Sequence, residues 1–200
     1  HWYNARAECE GRQNPEIFHS VLETINRQNT RLQNLVDQVM SNSLGIEEIE
    51  LQKEKVQPNV LVKTILSDFE LAYPSVKIQT EIDASEITLL LDKFHLTTAI
   101  TNVLENAVKY GCQNISIKTS LENSTFSIGI QDDGIGIAKN KQSLLFEKFY
   151  RVEQGNLHNT KGLGLGLYYV NQIVKAHKGS INVASNLGQG ALFTISLPSV

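Results

Sequence analysis

The chain has little cysteine, no surplus of positive charge and no long apolar run, and each shortage excludes something. Cys9 and Cys112 are the only cysteines among 200 residues, too few and too isolated for a disulfide framework or a zinc site. A reducing, cytoplasmic setting is therefore expected. No stretch approaches the ~20 apolar residues of a membrane helix and no signal peptide opens the chain, so no membrane contact is expected of it. Its opening, His1-Trp2-Tyr3, reads as a cut piece of a longer parent, and whether that parent is an inner-membrane protein is left open. Eighteen basic against 21 acidic residues give a net charge of −3, whereas a nucleic-acid binder would carry a basic surplus or stripe. What remains is an ordinary globular composition, 41% hydrophobic and 20% charged, in a length that suits about one to two domains.

Asn14-Pro15 reads as a helix start. Apolar residues then recur at heptad spacing through Val21, Ile25, Leu32, Leu35 and Val39, with Gln28 as a polar interruption. Alternating steps of four and three describe a helix packed along a seam, so a bundle or dimer helix is expected. Gly45 stops it, and Glu47 to Lys55 reads as a charged connector. The expected organisation is a helical segment at 1–45, a linker at 46–56 and a second domain at 57–200.

In that second domain Pro58-Asn59 opens a helix, and strands are expected at Val76–Thr80 and Ile87–Leu91. A helix over Lys93–Tyr110 is closed by Gly111 in the manner of a C-cap. Strands at Asn114–Leu121 and Thr125–Gln131 flank a Glu122-Asn123-Ser124 turn. A helix at Leu167–Lys178 is followed by strands at Ser180–Ser185 and Ala191–Leu197 around Gly188-Gln189-Gly190. The expected class is α+β, a sandwich with helices on one face of a largely antiparallel sheet.

Four clusters carry chemistry. Asn102 and Asn106 share one helix face and are expected side by side among apolar neighbours. Amides do not repel phosphates, and their carbonyl oxygens suit a hard cation such as Mg²⁺; for an isolated pair, a capping or core role is the plainer reading. Asp132-Asp133-Gly134-Ile135-Gly136-Ile137 follows an apolar strand. A carboxylate there can accept from an exocyclic amine such as adenine N6, and the glycines allow close backbone approach; a tight turn with a solvated acidic pair fits equally. Lys161-Gly162-Leu163-Gly164-Leu165-Gly166 opens a helix whose free N–H groups make an anion site. Its spacing matches neither a Walker A loop nor a Rossmann fingerprint. Gly188-Gln189-Gly190 by itself is only a hairpin turn.

Together these segments resemble the histidine-kinase branch of the superfamily that also holds DNA gyrase B subunits, mismatch-repair ATPases and certain heat-shock chaperones. Asn102–Tyr110 is similar to its N box, Asp132–Gly136 to its first glycine box, Phe146–Arg151 to its F box and Gly162–Gly166 to its second glycine box. All stand in family order, over about Val56 to Pro198. The resemblance implies a two-layer α/β sandwich of Bergerat type, ATP and Mg²⁺ as cofactors, and Asn106 as the metal residue. It implies that Asn102 supports the phosphate region, Lys109 acts beside the nucleotide and Asp132 binds adenine. Among the catalytic candidates Glu105, nearby on the helix, could serve as a base or phosphate-side contact, with a surface-facing Glu as the plainer reading. Lys109, Tyr110, Gly134, Gly136, Ile137, Phe149, Arg151, Lys161, Gly162, Leu163, Gly164, Leu165 and Gly166 would line or shape the nucleotide site. Residues from about Ile137 to Leu163 would form an ATP lid, anchored on one side by Phe146 and Phe149.

Two departures bear on activity. Asn102 stands where ATP-hydrolysing relatives usually have a Glu that activates water, and an amide cannot serve as general base; transfer to another acceptor is favoured over hydrolysis. The family's phosphoacceptor is a His followed by an acidic residue, yet His1 precedes Trp2 and His19 precedes Ser20. His95, His158 and His177 read as structural or lid residues. Residues 1–45 therefore resemble the second half of a dimerisation hairpin without its acceptor helix, and no self-phosphorylation is expected. Implied partners are ATP, the histidine-bearing dimerisation helix of the parent kinase, a response-regulator receiver domain and a second copy in a homodimer, with a weak dimer or a monomer open for this chain. A self-sufficient ATPase or serine/threonine-type kinase, or a module that has lost its nucleotide, are the alternatives.

Overall fold

A computed structural model describes residues 49–151 and 163–199. The chain divides after Glu47, and all that follows concerns its second unit. The heptad segment with His19, the lid residues 152–160, and Lys161 and Gly162 lie outside the described residues.

The elements in chain order are β1 (Glu54–Val56), α1 (Pro58–Ala72), β2 (Lys77–Glu81), β3 (Leu89–Leu91), α2 (Lys93–Lys109), β4 (Asn114–Glu122), β5 (Thr125–Asp132), the short α3 (Lys139–Gln142), α4 (Gly166–Ala176), β6 (Ser180–Ser185) and β7 (Ala191–Pro198). Five strands form one sheet in the order β2-β4-β5-β7-β6, and β1 pairs with β3 in a separate ribbon. The large sheet is antiparallel except for the β2–β4 pair, which is parallel because α2 lies between them in the chain. The connector expected at 46–56 ends differently: Glu54–Val56 is a strand registered on Leu89–Leu91. Val56 is buried there while Glu54 and Lys55 stay exposed, so the charges that read as a linker are the solvent side of a two-stranded ribbon.

Alternation along β5 sets the core. Phe126, Ile128 and Ile130 are all at most 1% exposed, and they stand opposite Leu121, Thr119 and Ile117 of β4. The facing helix α2 buries Leu96, Ile100, Val103 and Leu104, each contributing about 1.5–3 kcal/mol on leaving water. The inward polar residue Thr119 is satisfied: its hydroxyl donates to Asn59 Oδ1 at 2.9 Å and accepts the Asp83 N–H at 2.8 Å. The β4–β5 turn puts Asn123 and Ser124 at φ 47° and 58°, the left-handed pair of a tight two-residue hairpin.

The ends of α2 and α4 are tied together. Asp92 caps α2, accepting the His95 N–H at 2.9 Å, and its other oxygen accepts the Gln52 N–H at 2.7 Å. The Asp92 N–H in turn donates to Nε2 of buried His177 at 2.9 Å, while His177 Nδ1 bonds the Ile173 carbonyl at 2.8 Å. That pattern requires neutral His177 with its proton on Nδ1, and burial lowers its pKa to match. The structural reading of His177 is borne out.

Candidate nucleotide site

The alternation that buries Phe126, Ile128 and Ile130 carries one step further and turns Asp132 inward, just past the apolar core. It is 8% exposed. Its Oδ1 accepts the Gly134 N–H at 2.8 Å and the Ala191 N–H at 3.2 Å, and no hydrogen bond among the described residues reaches Oδ2. Burial pushes this carboxyl's pKa up, the two N–H bonds pull it down, and the Asp133 charge adds to the rise. A buried carboxylate with one oxygen pinned and the other free is suited to accept from a ligand's N–H.

Asp133 does different work. Its Oδ1 accepts the Gln113 and Asn114 N–H groups at 2.7 and 3.0 Å, and Oδ2 accepts Asn114 Nδ2 at 2.6 Å. These bonds hold its pKa down. It clips the start of β4, a role that sequence reasoning missed because the partners lie nineteen and twenty residues away.

Buried Cys112 lies close enough to both carboxylates for their charges to matter, and burial first pushes its thiol up to about 11. A thiol so protonated is inert at neutral pH.

The second half of α2 reaches toward the loop after β5. The Tyr110 carbonyl accepts the Ile135 N–H at 3.4 Å, and Gly111 at φ 84° ends the helix, as expected. Asn102 and Asn106 are half-buried rather than sunk among apolar neighbours, and they differ. Asn102 Nδ2 donates to the Thr98 carbonyl at 3.0 Å, which leaves its Oδ1 against Gly166. The Asn106 side chain has no hydrogen bond among the described residues, so its amide oxygen is available. Half-buried Lys109 has its pKa lowered, first by burial and then by the positive charge of Arg151, so two cations share this side. Glu105 is exposed.

The glycines make close approaches within the chain itself. A Cβ on Gly136 (φ +70°) would sit 2.0 Å from the Asn186 carbonyl oxygen, and on Gly190 (φ +71°) 1.9 Å from that of Asp132. On Gly164 (φ +74°) it would sit 2.8 Å from the Phe149 backbone, and on Gly166 3.2 Å from Asn102 Oδ1. On Gly134 it would lie 3.0 Å from both Asp132 Oδ1 and the Tyr110 carbonyl oxygen. These close approaches tie the loop after β5 to the β6–β7 turn, and the start of α4 to α2 and the F-box segment. Among the described residues no side chain caps α4, so its first N–H groups are candidates for an anion.

The expected anchors divide. Phe146 packs against the core, whereas the Phe149 side chain is 62% exposed and its backbone, at φ 63°, lies close against Gly164. Leu163 is exposed and Leu165 buried, while half-buried Ile137 takes part through its backbone. Among the described residues no group of three His, Cys, Asp or Glu could hold a metal, and no helix is long and apolar enough to cross a membrane.

Residues 91–200 match the family described as histidine kinase-, DNA gyrase B- and HSP90-like ATPase. Sensor protein RprX of Bacteroides fragilis is 36% identical over 191 residues, covering 92% of this chain and 37% of that protein. Sensor histidine kinase RppB of Synechocystis is 33% identical over 189 residues, covering 92% and 41%. The chain thus spans about two fifths of the length of these relatives. Among solved structures, full-length ShkA in complex with AMPPNP aligns at TM-score 0.68 and 26% identity, over 90% of this chain and 38% of that one. Acinetobacter baumannii histidine kinase AdeS aligns at 0.65 and 24% identity, over 98% and 91%, and speaks for the fold. Family and fold agree with the resemblance drawn from the boxes.

Proposed function

The chain belongs to the histidine kinase-, DNA gyrase B- and HSP90-like ATPase family, and from that premise we propose how its residues bind and use ATP. Its described part is a catalytic ATP-binding domain of the sensor histidine-kinase kind. The reaction we assign to the parent protein is transfer of the ATP γ-phosphoryl group to a histidine on a dimerisation helix, and from there to a response-regulator receiver domain.

Asp132 carries the reading. With Oδ1 pinned by Gly134 and Ala191, Oδ2 accepts the exocyclic amine of adenine, and the pocket's burial strengthens that bond. Asn106, whose amide has no hydrogen bond among the described residues, would hold Mg²⁺ through its carbonyl oxygen. The metal, when bound, offsets phosphate charge. Lys109 and Arg151 add positive charge on the phosphate side, and the uncapped start of α4 offers N–H donors. Tyr110, Gly134, Gly136, Gly164 and Gly166 hold these groups in place, with Lys161, Gly162, Leu163, Leu165, Ile137 and Phe149 kept as further lining. Asn102 lies against the α4 start and cannot take a proton from water, which favours a histidine acceptor over hydrolysis. Glu105, the one carboxylate of α2, stays the candidate base.

We assign residues 1–45 to the dimerisation hairpin, the parent to a homodimer, and this chain to the cytoplasmic side. Calorimetric titration with ATP, with and without Mg²⁺, tests the site: saturable binding that Mg²⁺ strengthens is expected. No binding by folded protein would leave a module that has lost its nucleotide, and steady phosphate release without an acceptor would favour an ATPase.

A further inference from the structure

Asp132 is held by groups from distant parts of the chain, and one hydroxyl joins them. Ser185 Oγ accepts the Ile137 N–H at 2.8 Å and donates to the Gly190 carbonyl at 2.5 Å. Ile137 closes the loop that Asp132 opens. Gly190 precedes Ala191, whose N–H pins Asp132 Oδ1. The hydroxyl therefore bridges the two segments that supply the carboxylate's two donors. Gln142, at the end of α3, completes the ring: its Nε2 donates to the Ile137 carbonyl at 2.9 Å and to the Ser185 carbonyl at 2.8 Å, using both amide protons. The Gly188 N–H adds a bond to the Ile135 carbonyl at 2.8 Å.

We propose that Ser185, assisted by Gln142, is a positioning residue that fixes the Asp132 loop against the β6–β7 turn, so that Oδ2 is presented before a ligand arrives. The inference builds on Asp132 as the base acceptor. A glycine-containing loop left free would have to be ordered at binding, and prior ordering removes that cost.

The test uses the 200-residue chain with Ser185→Ala, Ser185→Thr and Gln142→Ala. Two readouts are taken: hydrogen exchange of the Gly134 and Ala191 amides without nucleotide, and calorimetric titration with ATP and with ADP. In Ser185→Ala, exchange at both amides is expected to rise about tenfold and both nucleotides to weaken by a similar factor, the cost of losing a bridging hydroxyl. The ATP-to-ADP ratio should not change, because only the base side is touched. Ser185→Thr keeps a hydroxyl and should restore both readouts, which a general packing defect would not allow. Gln142→Ala should show the same pattern to a smaller extent, and it decides the matter if Ser185→Ala fails to fold. Unchanged exchange and affinity in folded Ser185→Ala, or a Ser185→Thr chain that behaves like the alanine variant, overturns the proposal. Should the unaltered chain bind no nucleotide while exchange responds as expected, the adenine assignment falls and the positioning of the loop by Ser185 stands.

Discussion

The proposed base side and the proposed phosphate side of the site are built by opposite means. Around Asp132 the chain is bonded to itself: two N–H groups on one carboxylate oxygen, a serine hydroxyl and a glutamine amide bridging loop to turn, and two glycines whose missing Cβ atoms are replaced by backbone. Around Asn106 and Lys109 fewer bonds are made among the described residues: the Asn106 amide has none, Phe149 and Leu163 are more than half exposed, and α4 begins without a side-chain cap. Recognition of a flat, neutral base needs one acceptor at a fixed point. Phosphates differ in number between substrate and product, and groups that keep their own freedom can follow that change.

The largest break in this contrast is expected at Gly136. Gly136→Ala places a Cβ 2.0 Å from a backbone oxygen at positive φ, which costs about 3 kcal/mol or more of stability because backbone must move. Urea unfolding measures it, and Gly166→Ala, at 3.2 Å from a side-chain oxygen, should cost far less. Next comes Asp132→Asn, expected to weaken ATP and ADP alike by roughly 100-fold, the loss of a charge-assisted bond in a buried place. Lys109→Ala should weaken ATP about tenfold and ADP less, since it removes one cation from the phosphate side.

The smallest effects follow pH, with opposite signs. The Asp132 carboxyl titrates above the ordinary range, so as pH falls through its folded pKa the ligand-free fold gains stability from relief of a buried charge, while nucleotide affinity falls with the acceptor. His177 is lowered: its contribution is complete above the ordinary histidine value of about 6.5 and is lost as pH falls through the folded pKa. Thermal melting and titration across pH 4–8 should separate the two, and His177→Gln should flatten the melting curve's dependence alone.

Most elements were legible because their periods are local. The α2 helix, the β4–β5 hairpin and the β6–β7 pair depend on spacing of three to four or of two, and on turn residues that sit where they act. The resemblance covered the boxes for the same reason, since each box is contiguous. Glu54–Val56 escaped because a three-residue strand with two charges has no period of its own and is decided by pairing with Leu89–Leu91. The Asn pair looked equivalent in sequence, yet one amide is bound to Thr98 and the other has no hydrogen bond among the described residues.

By itself the sequence determined the order of helices and strands, the inward face of β5 and hence the direction of Asp132, and the set of residue types that a nucleotide site requires. Tertiary structure alone decided that Asp133 clips β4, that Gly136 and Gly190 admit backbone, that His177 is a neutral partner of Asp92, and that Ser185 and Gln142 lock the loop. The physical reason is distance along the chain. Hydrophobic alternation and turn preference act over a few residues, whereas a hydrogen bond or a close approach between Asp132 and Ala191, 59 residues apart, exists only once the sheet has brought them together.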